Sequence, residues 1–285
     1  MKFKMLAVDL DGTLLNRKKE ISIETINAIQ SYRNIGGRVV ICSGRTPLST
    51  KWISEYIGLN EPIIAYNGAI IQTANGEIIE QSIFQETAIF TLLDFAHSEG
   101  MYIQMYEGDR LLISEENEIN LQWIQNNIPL LDSSSESATQ CENYRRKCDV
   151  MHVGNWLDYF KESNPSIMKI AVFNKKKTTN LLTKMTQLAG DFEISSSFNF
   201  ENLEISPGGV TKAAALLKLS EQLQIPISQV AAIGDNFNDI QMLKTAGLGI
   251  AMGNAPEEVK NKADAITSTN EESGVAKAIQ KYLLS

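Results

Sequence analysis

Leu6 to Val8, Arg38 to Cys42, Ile63 to Tyr66 and Val230 to Gly234 are short, nearly unbroken apolar runs, and each stops at small or polar residues. Apolar runs without polar alternation mark strands covered on both faces, as in a parallel sheet. The stretches between them read as helices. Ser22 is placed to cap a helix in which Ile23, Ile26, Ile29 and Tyr32 recur at helical spacing, and Gly36-Gly37 ends it. Thr46 and Pro47 open a second helix to about Ile57, with proline at the first position, where its missing N–H costs nothing. Strand, helix, strand, helix, strand predicts an α/β fold in which ligands bind beyond the carboxyl ends of the strands.

From about Phe84 the texture changes. A helix over Thr87 to His97 precedes alternating strands at Tyr102 to Tyr106 and Leu111 to Ser114, then a polar helix near Glu118 to Asn127 and a serine-rich stretch from Leu131 to Tyr144. Ile167 to Phe173 reads as a strand, Thr178 to Leu188 as a helix, and Phe192 to Ser196 and Leu203 to Ser206 as two further strands. Helices mixed with hairpin-like strands predict a separate α+β module inserted into the parallel domain. The expected organisation is a discontinuous Rossmann-like core over residues 1–84 and 190–285, with helices on both faces of its sheet, and an α+β insertion over residues 85–189. Thr211 is placed to cap a helix through Leu223, Ile240 begins another, Leu248 to Met252 reads as a short strand, and the chain closes on a helix over Val275 to Leu283.

Lys+Arg 26 against Asp+Glu 34 gives a net charge of −8, which disfavours nucleic acid or an anionic membrane as the main partner. Cys42, Cys141 and Cys148 are scattered and form no disulfide framework, and with only His97 and His152 there is no zinc-type ligand cluster. The first apolar stretch is cut by Asp9, too short for a signal-peptide core, and no run approaches the roughly 18 apolar residues of a membrane span. A cytoplasmic location is therefore the expectation. Composition leaves oligomeric state open.

The polar strand ends carry the chemistry. Asp9 and Asp11 flank Leu10 at the end of the first strand, so both side chains are expected on one face. Unpartnered burial of two carboxylates would cost several kcal/mol, so the pair implies a cation, a shared proton or solvent exposure. The second strand ends in Ser43-Gly44-Arg45, the third at Asn67, and the fourth at Asp235-Asn236-Phe237-Asn238-Asp239, with Lys212 at a helix start. Asp9, Asp11 and Asp235 without imidazole or thiolate make a hard-oxygen set that suits Mg²⁺. Lys212 and Ser43, with the N–H groups of Leu10 and Gly44, suit an oxyanion. Together they describe a site for phosphate and magnesium.

The order Asp9-Leu10-Asp11-Gly12-Thr13, a strand ending in Ser-Gly-Arg, a lysine before a helix, and Gly234-Asp235-Asn236-Phe237-Asn238-Asp239 resembles the haloacid dehalogenase superfamily. More narrowly it is similar to the Cof-type phosphatases, whose type II α/β cap is inserted between the second and third motifs. One departure is Ala213 after the lysine, where that family often has glycine. The resemblance implies Asp9 as nucleophile and Asp11 as general acid/base. It implies Mg²⁺ held by Asp9, the Asp11 backbone carbonyl and Asp235, with Asp239 supporting through water. It implies phosphate held by Leu10, Ser43, Gly44, Lys212 and Asn238. The implied activity is hydrolysis of small phosphorylated metabolites, such as sugar phosphates or phosphorylated cofactors, through an aspartyl phosphate. The inserted cap would close over the strand ends and contact the leaving group. A phosphotransferase or phosphomutase would use the same groups, and a non-catalytic regulator would be expected to lack one of them.

Each motif alone has a blander reading. Asp-Leu-Asp-Gly-Thr by itself is a solvated acidic turn, Ser43-Gly44-Arg45 a helix-capping turn, and Lys212 a solvated helix-start lysine. Arg45 is read either as a contact to the distal part of the substrate or as the partner of a surface carboxylate. Asn67 is read as a turn residue before a substrate contact. Gly247 to Gly253 has the wrong spacing for a dinucleotide fingerprint and reads as structural, as do Cys42 and both histidines.

Overall fold

The computed structural model describes residues 2–120, 149–173, 181–188, 191–196 and 202–284. The expected helix near Glu118 to Asn127 lies outside the described residues beyond Asn120, and the expected loop from Leu131 to Tyr144 lies wholly outside them, with Cys141 and Cys148. The described residues fall into two compact units, one of residues 2–80 and 211–284, the other of residues 81–120 and 149–210 where described.

The first unit is a five-stranded parallel sheet in the order β14-β13-β12-β1-β2. Its strands are β1 (Met5–Val8), β2 (Arg38–Ile41), β12 (Val230–Gly234), β13 (Leu248–Ala251) and β14 (Ala265–Ile266). Every residue of β1 and β12 is buried, as unbroken apolar runs require. Leu6 and Val8 point to one face with Val39, Ile41, Ile233 and Ile250, and are covered there by Ile29 and Tyr32 of α1 (Ile23–Asn34), Ile53 of α2 (Pro47–Tyr56), and Val275 and Ala278 of the C-terminal helix α9 (Gly274–Ala278). Met5 and Ala7 point to the opposite face, under Leu216 and Leu219 of α6 (Lys212–Gln222), Met242 and Leu243 of α7 (Ile240–Thr245) and Val259 of α8 (Glu257–Lys260). The expected Rossmann-like α/β core with helices on both faces is what forms. Ser22, Thr46 and Thr211 cap their helices by accepting the N–H of Thr25, Ser49 and Ala214.

The third apolar run departs from expectation. β3 (Ile63–Ala65) pairs with the end of β2 through an isolated bridge between Ile64 and Cys42 and does not extend the parallel ladder. It pairs instead antiparallel with β4 (Ile70–Gln72), in a three-stranded sheet completed by β5 (Ile78–Gln81). The reason is local: Tyr66 to Gly68 turns the chain back after three residues, so a hairpin forms before a crossover helix can.

The second unit holds a six-stranded sheet in the order β10-β11-β9-β6-β7-β8, from β6 (Tyr102–Glu107), β7 (Arg110–Ile113), β8 (Asp149–His152), β9 (Lys169–Phe173), β10 (Phe192–Ser196) and β11 (Asn202–Pro207). Ile103, Met105, Leu112, Ile170, Val172 and Leu203 form one buried cluster with Ile89 and Leu92 of α3 (Glu86–Glu99) and Phe160 of α4 (Trp156–Ser163). A short α5 (Leu181–Thr186) is all that is described of the helix expected over Thr178 to Leu188. β8 and α4 escaped the sequence reading. The expected boundaries also shift. The expected core includes residues 191–196 and 202–207, but their strands pair antiparallel with each other and with β9, so the second unit extends to Val210. At its other end Phe84 donates its N–H to the Ile167 carbonyl and joins the second cluster, so the unit begins at Gln81.

Candidate active site

β1 delivers Asp9 to the carboxyl edge of the sheet, and its N–H extends the pairing with β12 by one bond to the Ile233 carbonyl (3.0 Å). The chain then turns, with the Thr13 and Leu15 N–H groups both donating to the Leu10 carbonyl (3.2 and 2.8 Å) and the Leu10 side chain buried in the core. Gly12, at φ +83°, permits that turn, and a β-carbon there would collide with the Asp235 carboxylate. The backbone thus approaches the end of β12 as closely as a residue without a side chain allows.

Lys212, the first residue of α6 and 1% exposed, donates to Asp9 Oδ1 at 2.6 Å and to Asp239 Oδ1 at 2.7 Å. Burial works against its charge, but the Asp239 and Asp9 carboxylates overcome this and hold the ammonium above the usual lysine range. Asp239 Oδ2 accepts the N–H groups of Asp235 and Asn236, both at 3.0 Å, and so ties the turn after β12. Asp235 accepts from Thr13 Oγ1 on Oδ1 (3.0 Å) and from Asn254 Nδ2 on Oδ2 (3.3 Å).

Asp9, Asp235 and Asp239, all buried, offer carboxylate oxygens within 4.8 Å of one another. Burial, reinforced by the neighbouring carboxylates, pushes Asp9 up to about 7 and Asp235 up to about 8, against the pull of Lys212 on both and of Thr13 on Asp235. One lysine does not balance three buried carboxylates. The donor set is all oxygen, anionic and crowded, and so fits a hard divalent cation of the Mg²⁺ type.

Asp11 does not share these partners. Its carboxylate takes Arg45 Nε on Oδ2 (2.6 Å), and Arg45 Nη2 and Lys19 Nζ on Oδ1 (2.7 and 2.6 Å). Against the desolvation that would raise it, these two cations hold Asp11 below the usual carboxylate range. The two aspartates expected side by side therefore occupy different electrostatic settings. Of the two readings of Arg45, pairing with a carboxylate is the one seen in the structure, and the carboxylate is that of Asp11, the second aspartate of the opening motif.

The Ser43-Gly44-Arg45 loop is docked on the turn after β3. Ser43 N–H donates to Ile64 O, Asn67 N–H to Ser43 O and Tyr66 N–H to Arg45 O, at 2.9, 2.9 and 3.0 Å. Tyr66 and Asn67 both take left-handed backbone angles (φ 50° and 56°), a conformation that costs of order 1–3 kcal/mol per non-glycine residue and persists where the surroundings enforce it. Ser43 Oγ accepts the Arg45 N–H (3.2 Å), and Asn67 Oδ1 accepts from Asn238 Nδ2 (3.0 Å). Asn67 is thus the turn residue expected, and it also steadies Asn238, whose own buried Oδ1 has no partner among the described residues. Cys42 is a buried free thiol raised well above its ordinary range by burial, in keeping with an inert core residue.

Lys19, Thr13 and Asn254 were not singled out in the sequence. Thr13 stood inside the opening motif, where only the carboxylates drew a chemical reading. Lys19 lies in a polar loop and Asn254 follows a glycine-rich stretch read as structural, so neither carried a local signal.

A doubly covered parallel sheet with a buried carboxylate and lysine cluster at its carboxyl edge is the architecture of an α/β enzyme whose chemistry lies at the strand ends. The chain belongs to the haloacid dehalogenase-like hydrolases, whose family model matches residues 6–279. It is 32% identical to the phosphatase YwpJ of Bacillus subtilis, over 99% of this chain and 100% of that protein. It is 30% identical to the 5-amino-6-(5-phospho-D-ribitylamino)uracil phosphatase YcsE of the same organism, over 99% and 96%. The solved structure of a haloacid dehalogenase-like hydrolase from B. subtilis superposes with a TM-score of 0.82 at 29% identity, over 98% and 100% of the two chains. The chain is an enzyme of the phosphatase kind. No helix among the described residues is long and apolar enough to cross a membrane.

Proposed function

We propose that the protein is a Mg²⁺-dependent hydrolase of small phosphate monoesters that works through a phosphoryl group carried on Asp9. The observation that carries this reading is Lys212, buried and bonded to both Asp9 and Asp239. An attacking carboxylate is repelled by a phosphate dianion, by about 4 kcal/mol for two unit charges 4 Å apart at an effective dielectric near 20. A fixed ammonium at Asp9 offsets that repulsion and stabilises the equatorial oxygens during transfer. Asp9, Asp235 and the Asp11 carbonyl are the groups assigned to Mg²⁺, with Asp239 behind them. When bound, the ion supplies charge neutralisation at the phosphoryl oxygens.

In the first step Asp9 attacks phosphorus, the bond from phosphorus to the ester oxygen breaks, and Asp11 gives that oxygen a proton. In the second a water attacks the phosphorus of the aspartyl phosphate, Asp11 takes the proton, and inorganic phosphate leaves with Asp9 regenerated. Leu10, Ser43, Gly44 and Asn238 are assigned to the phosphate oxygens. Delivering the proton requires Asp11 to exchange its contact with Arg45 for the ester oxygen, because two cations favour its anion.

The substrates proposed are phosphorylated sugars, sugar alcohols and cofactors. The ribitylaminouracil phosphate in the name of YcsE is one such ester, and it supports the class rather than the compound. A cytoplasmic setting is proposed with them, where such metabolites occur. Purified protein with Mg²⁺ and a panel of phosphorylated metabolites tests the reading. Release of inorganic phosphate supports it, and isomerised phosphosugar without release would make the protein a mutase instead.

A further inference from the structure

Asp235 is held differently from the other two buried aspartates. Lys212 bonds Asp9 and Asp239, whereas among the described residues Asp235 receives only neutral side-chain donors, the Thr13 hydroxyl on Oδ1 (3.0 Å) and the Asn254 amide on Oδ2 (3.3 Å). A neutral donor fixes a carboxylate's direction without cancelling its charge, whereas a cation in the same place would compete with a metal ion for it. Asn254 does more than one thing with its amide. Nδ2 also donates to the Gly12 carbonyl at 2.8 Å, and Oδ1 accepts the Asn270 N–H at 3.0 Å. Asn270 in turn donates from its side chain to the Leu15 carbonyl at 2.9 Å. Asn254 is therefore fixed from behind, and it spans the turn after β1 and the carboxylate after β12. Those two segments meet where Gly12 has no room for a β-carbon.

We propose that Asn254 is a positioning residue for the metal site, setting the orientation of Asp235 and its spacing from the Gly12 turn while leaving the carboxylate's charge for the cation. This rests on the magnesium reading above. Partners of this kind behind a ligand commonly account for about 10- to 100-fold in metal affinity.

The test is calorimetric titration of Mg²⁺ alone into the wild-type protein, N254A and N254L, with thermal unfolding of each metal-free protein alongside. The two variants remove the donor with and without loss of volume, so a fold that fails with the cavity in N254A is still readable with N254L. The expected result is a Mg²⁺ dissociation constant raised at least about 10-fold in both, with the metal-free unfolding midpoint within a few degrees of wild type. In phosphatase assays the half-saturating Mg²⁺ should rise by the same factor while kcat at saturating Mg²⁺ returns to near the wild-type value. Wild-type Mg²⁺ affinity in both variants would overturn the role of Asn254 and leave the proposed function standing. No Mg²⁺ binding by the wild-type protein would overturn both.

Discussion

Arg45 grips Asp11 at two points, with Nε on Oδ2 at 2.6 Å and Nη2 on Oδ1 at 2.7 Å, while its remaining Nη1 donates to Ser49 Oγ at 3.2 Å. The Arg45 side chain is 5% exposed and that of Asp11 41%, so the more confined partner is the arginine. Backbone bonds from the Tyr66 to Gly68 turn hold the loop that carries Arg45. Orientation of the proposed acid/base thus depends on a planar fork built into the second strand's end.

If Arg45 holds the Asp11 anion in place for the second step, where it takes the proton of the attacking water, R45A should lower kcat by about 100-fold, the scale of loss when a catalytic group is misplaced by an ångström, with KM within a few-fold. R45K should recover little of this, since an ammonium keeps the charge and not the two-point geometry. Steady-state kinetics on one alkyl phosphate ester decide it. A raised KM at unchanged kcat would instead make Arg45 a contact to the substrate.

Lys212 leaves two carboxylates facing each other when it is removed. Breaking a buried ion pair from one side costs about 3–5 kcal/mol, and K212M should approach that loss at pH 8.5, where Asp9 is ionised. At pH 6 Asp9, with its pKa pushed up to about 7, is largely protonated and the loss should be smaller. Urea unfolding at the two pH values measures the difference. Turnover should be lost at both.

The raised carboxyls of Asp9 and Asp235 fix a sign for the metal-free protein. A carboxyl whose folded pKa lies above its unfolded value of about 4 stabilises the fold most below that value, and the contribution is lost as pH rises through the folded pKa. Here the loss runs to about 7 for Asp9 and about 8 for Asp235. Mg²⁺ must displace those protons to bind, so its apparent affinity should rise over the same window. The increase in unfolding midpoint caused by a fixed Mg²⁺ concentration should therefore be larger at pH 8.5 than at pH 5.5. An increment that is equal at the two pH values, or larger at pH 5.5, would contradict the cluster as the metal site.

The sheet and most of its helices were legible because β1, β12 and, after Arg38, β2 are buried on both faces, and because Ser22, Thr46 and Thr211 are hydroxyl caps in plain view. Lys212, Asp235 and Asp239 could be named because each stands at the end or start of such an element. The hairpin of β3 with β4 was not legible. An apolar run carries no record of its partner, and the choice was made by the left-handed turn at Tyr66 and Asn67. The division between Asp9 and Asp11 was hidden for a related reason. Strand alternation puts both on one face, but β1 ends at Val8, and the partners that separate them, Lys19 and Arg45, come from loops. Asn254 was invisible because its role lies in bonds to Gly12 and Asp235, distant in the chain.

Asp9 is proposed to carry the phosphoryl group between the two steps. Replacing Asp11 by asparagine removes the base for the second step, while an aryl phosphate, whose leaving group needs no proton, still permits the first. D11N incubated with p-nitrophenyl phosphate and Mg²⁺, quenched in acid and mapped by peptide mass spectrometry, should carry one phosphoryl group on Asp9. Turnover by the wild-type protein with no phosphoryl group on Asp9 in D11N, or with the group on a different residue, would contradict the account.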